Sequence, residues 1–298
     1  MRYTTSYRSC SALLLTILFA GWVQVHGHHR ASHDKCEEYR SWASSNLANC
    51  NRPKPLILLD PIRVGDYPHQ AFFGWKEQDN PQTFEFLSSG SLISERYLLT
   101  AAHSTRYQQK PPDVVRFGVV DLGAEDQSHT DYEVEEVIVH PNYTARLAYN
   151  DIALVKLRDP VSFSEDIRPA CLWDSLEMNF TSVVTTAFGS RGYDGLPGQL
   201  EKHNMDVIGN SQCQKALVNI RKLRDGVMDH QLCLAHTDRR HHASIGNSGS
   251  PAQIKLDPKD CFAYIVGISS HGFGAAGIPD IYTRVASFVE WIEEIVWH

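Results

Sequence analysis

A serine, a histidine and an aspartate lie in three separate stretches whose composition suits covalent chemistry. Ser248 lies in the stretch IGNSGSP, where the glycines allow a tight turn and the close approach of a substrate. Such a turn is also typical of an ordinary surface loop, so this stretch alone identifies no site. His103 follows the apolar run LLTAA, and Asp151 precedes the apolar run IALV. Because a serine nucleophile needs a base, and that base needs an acid to hold its tautomer, the three residues together predict a catalytic triad.

The stretches TAAH, NDIAL and GNSGSP resemble the TAAHC, DIAL and GDSGGP signatures of the chymotrypsin-like serine proteases, the trypsin family. They occur in the same chain order, His, Asp, Ser, and the resemblance extends from about residue 56 to the C-terminus. It implies peptide-bond hydrolysis in which His103 is the general base, Asp151 orients it and Ser248 attacks. It also implies an oxyanion hole formed by the backbone N–H groups of Gly246 and Ser248.

The pattern of short apolar runs separated by turns predicts an all-β fold. Segments 92–94, 97–100, 133–139 and 152–157 are the clearest strands. The chain ends in a predicted amphipathic helix, whose apolar residues recur at helical spacing: Val285, Phe288, Val289, Ile292, Ile295 and Val296. The resemblance specifies two six-stranded antiparallel β-barrels and a C-terminal α-helix. In that arrangement His103 and Asp151 come from the first barrel and Ser248 from the second.

The N-terminal segment predicts secretion. Arg2 and Arg8 precede a single strongly apolar run at 11–20, which is typical of a signal peptide over residues 1–27 and too short to span a bilayer. We therefore expect an extracellular protein that is not attached to a membrane after the signal is removed. The net charge of −7 argues against nucleic acid as a partner. We expect a monomer that needs no cofactor.

Residues 28–55 are predicted to be a short propeptide-like segment in front of a protease domain at 56–298. The segment is polar, and His28, His29 and His33 could bind a metal. A flexible histidine-rich terminus explains them more simply, so no metal site is predicted. Two sequons place candidate glycans on Asn142 and Asn179.

Loss of Cys10 with the signal leaves six cysteines, an even number that indicates disulfides in a secreted chain. The resemblance implies a bridge between Cys213 and Cys233. It also implies that Cys171, at the crossing between the barrels, pairs with a propeptide cysteine. Either Cys36 or Cys50 can fill that role, and Cys261 is then expected to pair with the other.

The chain departs from the family pattern around activation. Leu58 and Leu59 replace the two glycines of the usual activation sequence, and Pro55 follows the basic residue Lys54, which disfavours cleavage there. Asn247 replaces the aspartate that pairs with the new N-terminal ammonium in the family. Both partners of that ion pair are therefore replaced, which costs far less than the roughly 3–5 kcal/mol of losing one partner alone.

Two family disulfides are also replaced as whole pairs, one by Ser88 and Ser104 and one by Ser244 and Ala275. Their absence predicts that the loop carrying His103 (the histidine loop) and the specificity pocket are held less tightly, since each bridge contributes about 2–4 kcal/mol to the free energy of unfolding.

The specificity pocket is unusual as well. His242 stands where trypsins have the aspartate that receives a basic side chain, while Asp280 occupies a pocket-wall position that is usually glycine. The two could pair with each other, or Asp280 could attract a basic substrate side chain. Ser270 and Gly272 match the strand that binds the substrate backbone, and His271 replaces a tryptophan between them.

Two functions follow from these residues. In the first, the chain is a secreted serine endopeptidase that acts on protein or peptide substrates, other cascade proteases among them. In the second, it is a weak or inactive protease homologue that binds and regulates components of an extracellular cascade. The complete triad favours the first, whereas Asn247, His242 and the missing activation site favour the second. A third possibility, a zymogen cut at an unconventional basic site, is less favoured.

Overall fold

The computed structural model describes residues 30–48, 50, 61–80, 82–124, 129–191, 196–237, 248–257, 260–273 and 278–298. The predicted signal peptide lies outside these residues. So do the following positions singled out from the sequence: His28, His29, Lys54, Pro55, Leu58, Leu59, His242, Ser244, Gly246, Asn247 and Ala275.

Six antiparallel strands close the first barrel. They are β1 (Gln70–Lys76), β2 (Phe84–Leu92), β3 (Tyr97–Thr100), β4 (Val114–Phe117), β5 (Thr130–Val139) and β6 (Ala153–Leu157). Their order around the barrel is β1-β2-β3-β6-β5-β4, and β1 pairs with β4 to complete it. The strands form here because alternate side chains along them are apolar and pack into a shared core, which includes the buried residues Phe73, Leu98 and Phe117.

The second barrel follows a short strand, β7 (Cys171–Leu172), at the crossing between the two halves. Its six strands are β8 (Ser182–Arg191), β9 (Leu196–Ile208), β10 (Gln231–His236), β11 (Pro251–Ile254), β12 (Tyr264–His271) and β13 (Asp280–Arg284). The order β11-β8-β9-β10-β13-β12 closes through the pairing of β11 with β12. Strand β7 adds to the outer side of β12 in parallel. The predicted architecture of two six-stranded antiparallel barrels is confirmed.

The described residues form three α-helices beside the barrels: α1 (Ala31–Asn46), α2 (Asn210–Ala216) and α3 (Val289–Val296). The predicted C-terminal helix is confirmed, and a 3₁₀ turn at Val285–Ser287 leads into it. Its buried residues Val289 and Ile292 join a core that also contains Leu99 and Ile152 from the first barrel and Ile268 from the second. This shared core holds the two barrels together beside the predicted triad. No helix in the described ranges is long and apolar enough to cross a membrane.

Helix α1 corrects the prediction of a flexible terminus from Ala31 onward, where a regular helix that includes His33 begins. Tyr39 and Ala43 are buried in a cluster with Phe262, and the Tyr39 ring meets Phe163 edge-on at 5.5 Å between centroids. Polar contacts also hold the helix: Arg40 lies 2.6 Å from the Asp260 carboxylate, and Ser32 donates to Glu293 of α3. The helix was missed because its buried face consists of small or polar residues: Ser32, Cys36, Tyr39 and Ala43.

Three disulfides join the described cysteines. Cys213 pairs with Cys233, as predicted. Cys171 pairs with Cys36 and Cys261 with Cys50, so the structure selects one of the two pairings left open by the sequence. Two bridges therefore anchor the N-terminal segment to the second half of the chain. The two sequon residues, Asn142 and Asn179, are both exposed.

Candidate active site

The three predicted triad residues meet at the junction of the barrels. His103 lies on a 3₁₀ turn, Ala102–Thr105, directly after β3. Its Nε2 atom is 2.9 Å from Ser248 Oγ, and its Nδ1 atom is 2.7 Å from Asp151 Oδ2. Ser248 precedes β11 of the second barrel, and Asp151 precedes β6 of the first. A chain of serine, histidine and aspartate with these distances can carry a proton away from the serine hydroxyl.

Asp151 is the most strongly held of the three residues. Its carboxylate accepts hydrogen bonds from the His103 backbone N–H at 2.9 Å, the His103 ring at 2.7 Å and the Ser270 hydroxyl at 2.6 Å. Thr283 in β13 donates to its backbone carbonyl at 2.8 Å. Burial by itself raises the pKa of Asp151, but the bonds from His103 and Ser270 outweigh it and leave the pKa below its ordinary value. The carboxylate is therefore ionised at neutral pH and holds a proton on Nδ1, so that Nε2 is free to act as a base.

Ser248 sits on a turn that leaves no room for a side chain at the next position. Gly249 has a φ of +80°, and a Cβ atom there would lie 2.1 Å from Thr100 Oγ1 and 2.3 Å from the Ser89 carbonyl oxygen. Both the backbone conformation and the close approach of β2 and β3 therefore require glycine. The turn is held by hydrogen bonds from Ser89 N to Ser248 O (3.1 Å) and from Gly249 N to Ser269 O (3.0 Å).

Asp280, the predicted pocket-wall residue, is buried at the start of β13. One carboxylate oxygen accepts the backbone N–H of Phe273 at 3.1 Å, and the other lies 3.8 Å from His236 Nε2. Burial raises the pKa of Asp280 to about 6, although the bond from Phe273 lowers it in part. His236 ends β10, whose Leu234 pairs with Asp280 in the sheet, so both side chains belong to one face. The His236 ring in turn packs edge-on against His203 at 5.6 Å between centroids.

Similarity to known proteins identifies the family of the chain. The Trypsin family model matches residues 59–292, most of the chain. This chain belongs to the trypsin family of serine proteases. It is 34% identical to the serine protease snk of Drosophila melanogaster over 284 residues, which cover 90% of this chain and 65% of that protein. It is 33% identical to the serine protease Hayan of the same species over 280 residues, or 90% of this chain and 42% of that protein.

A third relative is the clotting factor G beta subunit of Tachypleus tridentatus, 33% identical over 230 residues that cover 71% of this chain and 72% of that protein. The chain thus spans about two thirds of the length of snk and less than half of that of Hayan.

Ser270 contacts Asp151, a role the sequence did not predict. Its position was predicted to bind substrate backbone, but its side chain is buried and donates to the Asp151 carboxylate. The pairing was missed because the two residues are 119 positions apart. Gly272, predicted for the same strand, directly follows β12 and is exposed. His271 between them is half-buried, and burial, with the nearby charge of Lys222, lowers its pKa.

Ser88 and Ser104 are adjacent, as expected for two positions that hold a disulfide in other members of the trypsin family. Ser88 Oγ donates to the Ser104 carbonyl at 2.7 Å, and Ser104 Oγ donates to the Ala101 carbonyl at 2.6 Å. The register of the resemblance is therefore correct here, and buried hydroxyl groups occupy the place of the bridge. The histidine loop is hydrogen-bonded at this point, and its predicted looseness stays a prediction.

Two further predicted site residues, Gly246 of the oxyanion hole and His242 of the pocket floor, lie outside the described residues. The missed partner of Asp280 is His236, and only the strand register of β10 and β13 could have indicated it. Among the described residues, no group of three or more His, Cys, Asp or Glu side chains is arranged to hold a metal ion.

Proposed function

We propose that the protein is a secreted serine endopeptidase that uses His103, Asp151 and Ser248 as its catalytic triad. The observation that carries the proposal is the 2.9 Å distance from Ser248 Oγ to His103 Nε2, on a ring whose other nitrogen lies 2.7 Å from a buried carboxylate. Membership of the trypsin family supports the same reaction class. Protein or peptide substrates, including other proteases of a cascade, fit the names of the relatives.

In the first half of the reaction, Ser248 Oγ attacks the carbonyl carbon of the scissile bond while His103 Nε2 takes its proton. The charged imidazole is stabilised by Asp151, which stays ionised because its hydrogen bonds lower its pKa. The resulting tetrahedral oxyanion needs backbone donors, and the N–H groups of Ser248 and Gly246 are proposed to supply them. His103 then gives its proton to the leaving amine, and the acyl group remains on Ser248.

In the second half, water attacks the acyl ester. His103 accepts a proton from the water, and the carbonyl oxygen again becomes the oxyanion of a tetrahedral intermediate. Ser248 then leaves with the proton returned by His103. The reaction needs no metal or cofactor, because His103 carries every proton between Ser248, the leaving amine and water while Asp151 stays ionised.

Secretion is part of the proposal. It is supported by the signal-like N-terminus and by three disulfides, which are typical of proteins in oxidising compartments. We further propose a monomer that is free of the membrane after signal removal and carries glycans at Asn142 and Asn179.

A second candidate function is that of a catalytically weak homologue that binds a protease or its substrate. The specific observation in its favour is Asn247, which lacks the negative charge that orders the oxyanion hole in the family. Losing one oxyanion donor slows acyl transfer by about 10²–10³-fold.

Labelling with a fluorophosphonate probe separates the candidates. The secreted protein, intact and after limited proteolysis, is compared with Ser248→Ala. Labelling of the intact chain that disappears in Ser248→Ala supports an enzyme that assembles without the usual activation. Labelling that requires proteolysis indicates an unconventional zymogen, and N-terminal sequencing of the labelled form locates the cut. Absence of labelling in both forms contradicts the enzyme and favours the binding homologue.

A further inference from the structure

A pair of buried hydroxyl groups joins the two barrels immediately beside Ser248. Ser89 lies in β2 of the first barrel, and Ser250 lies just before β11 of the second. Their Oγ atoms are 2.8 Å apart, and the residues are 0% and 1% exposed. A buried hydroxyl group without a partner costs about 1–3 kcal/mol, so the two groups strongly favour remaining together.

The same two residues hold the backbone of the Ser248 turn. Ser89 N donates to the Ser248 carbonyl at 3.1 Å, so Ser89 contacts both residue 248 and residue 250. On the opposite side, Ser269 N in β12 donates to the Ser250 carbonyl at 2.9 Å. The turn that carries the proposed nucleophile is therefore fixed between one strand of each barrel.

Ser89 is also connected to the turn that carries His103. Thr100 Oγ1 donates to the Ser89 carbonyl at 2.7 Å and lies 2.9 Å from Ser104 Oγ, on the residue next to His103. Displacement of Ser89 would thus shift the supports of both Ser248 and His103. Since Gly249 packs against Thr100, Ser89 and Ser104 with no space for a Cβ atom, the turn cannot absorb such a shift.

We propose that Ser89 and Ser250 are positioning residues that set the distance between Ser248 and His103. The inference rests on the proposed function, because the distance matters for the attack by Ser248. The sequence gives the pair of Ser89 and Ser250 more weight. Asn247 replaces a charged residue next to the nucleophile, and Ser88 and Ser104 replace a disulfide of the histidine loop. The hydroxyl pair provides a neutral link between the barrels at the point where these stronger constraints are absent.

The test compares Ser89→Ala, Ser250→Ala and the double variant with the wild-type chain. The maximal rate constant of fluorophosphonate labelling is measured separately from the concentration of probe that gives half of it. We expect each single variant to lower the maximal rate constant about tenfold or more with little change in the half-saturating concentration, since a misplacement of the reacting atoms affects the chemical step. The double variant should lose no more than the singles, because both remove the same link.

Thr186→Val is the matched control. Thr186 in β8 is buried and donates to Gln70 Oε1 in β1 at 2.7 Å, so it also forms a hydroxyl bond between the barrels, but it makes no described contact with the Ser248 turn. Its labelling rate constant should stay within about twofold of the wild type. Thermal unfolding of all variants, followed by circular dichroism, ensures that rates are compared where every protein is folded.

Rate constants for Ser89→Ala and Ser250→Ala that equal that of Thr186→Val overturn the inference and leave the proposed function intact. If wild-type protein is not labelled at all, the proposed function fails and nitrogen NMR of the His103 ring decides the inference instead. A Ser250→Ala spectrum that moves toward that of Ser248→Ala supports the positioning role, because it reports loss of the contact between Ser248 and Nε2. A spectrum identical to the wild type overturns it.

Discussion

Asp151 and Asp280 are two buried aspartates whose carboxyl groups behave in opposite ways. They are 3% and 7% exposed, respectively, and each lies beside a histidine. The pKa of Asp151 is lowered, whereas burial raises the pKa of Asp280 to about 6. Nearly equal burial therefore does not decide whether a carboxylate remains charged.

The difference comes from the donors that surround each group. Asp151 accepts three hydrogen bonds, two from His103 and one from Ser270, at 2.6–2.9 Å. Asp280 accepts one described hydrogen bond, from Phe273 N, and its histidine is 3.8 Å away, beyond hydrogen-bonding distance. Donated hydrogen bonds stabilise the charged form more than burial destabilises it, but only when enough of them converge. The donors around Asp151 stabilise its charged form, whereas the charged form of Asp280 destabilises the folded state.

Among substitutions at these two aspartates, Asp151→Asn should lower activity most. The carboxylate accepts the His103 backbone N–H on Oδ1 and the His103 ring on Oδ2, whereas an amide has only one acceptor oxygen. If that oxygen stays on the backbone N–H, the NH₂ group faces Nδ1, and the ring loses the tautomer that frees Nε2. We expect the labelling rate constant to fall about 10⁴-fold with the fold retained. Asp131→Asn, which removes the partner of Arg116 in a surface pair, is the control for loss of a carboxylate. Labelling of Asp151→Asn within tenfold of the wild type would contradict the role of Asp151.

Asp280→Asn should stabilise the protein at neutral pH. Because the folded pKa, about 6, lies above the unfolded value of 3.8, the folded state binds the extra proton between these values, and the wild type loses stability as pH rises from about 4 to about 6. The amide removes this loss. We expect urea unfolding to give a gain of up to about 3 kcal/mol at pH 7.5 and little change at pH 4.

Asp159→Asn, at an exposed position, controls for the removal of one negative charge. If Asp280→Asn changes the free energy of unfolding equally at both pH values, the carboxylate of Asp280 does not carry the predicted penalty.

Ser270→Ala should make Asp151 more similar to Asp280 by removing one of its donors. The pKa of Asp151 then rises because burial is less fully compensated, and His103 is held less firmly. We expect the labelling rate constant to decrease about tenfold, the size associated with one buried hydrogen bond to a charged group. Thr283→Val removes a bond to the backbone carbonyl of Asp151 and provides the contrast, with a smaller expected decrease. Equal effects of the two variants would mean that the carboxylate contact is not what matters.

His236→Asn should have the smallest effect and tests whether Asp280 is available to a substrate. Because His236 Nε2 lies 3.8 Å from the Asp280 carboxylate, its removal leaves the carboxylate freer to attract a basic side chain. We expect the hydrolysis rate of a peptide with arginine before the scissile bond, relative to one with leucine, to rise up to about fivefold, as for a weak ion pair. In the double variant with Asp280→Asn the rise should disappear. A rise that persists there would have to come from another group.

The local parts of the structure follow from the sequence. The strand at 97–100, the C-terminal helix and the bridge between Cys213 and Cys233 all rest on periodicity, or on motifs that match the trypsin family. Helix α1 could not be predicted in this way, because its buried face has small and polar residues and its docking depends on two disulfides to distant cysteines. The choice of Cys36 rather than Cys50 as the partner of Cys171 likewise needed the folded chain.

The sequence by itself determined which residues carry the proposed chemistry, because the triad residues, and the glycine that must follow Ser248, stand in short contiguous motifs. Only the tertiary structure decided what surrounds them: Ser270 at Asp151, His236 at Asp280 and Ser250 at Ser89. The physical reason is that a side chain's reactivity depends on its immediate donors and charges. Those groups come from positions 44 to 161 residues apart in the chain, which only the closure of the two barrels brings together.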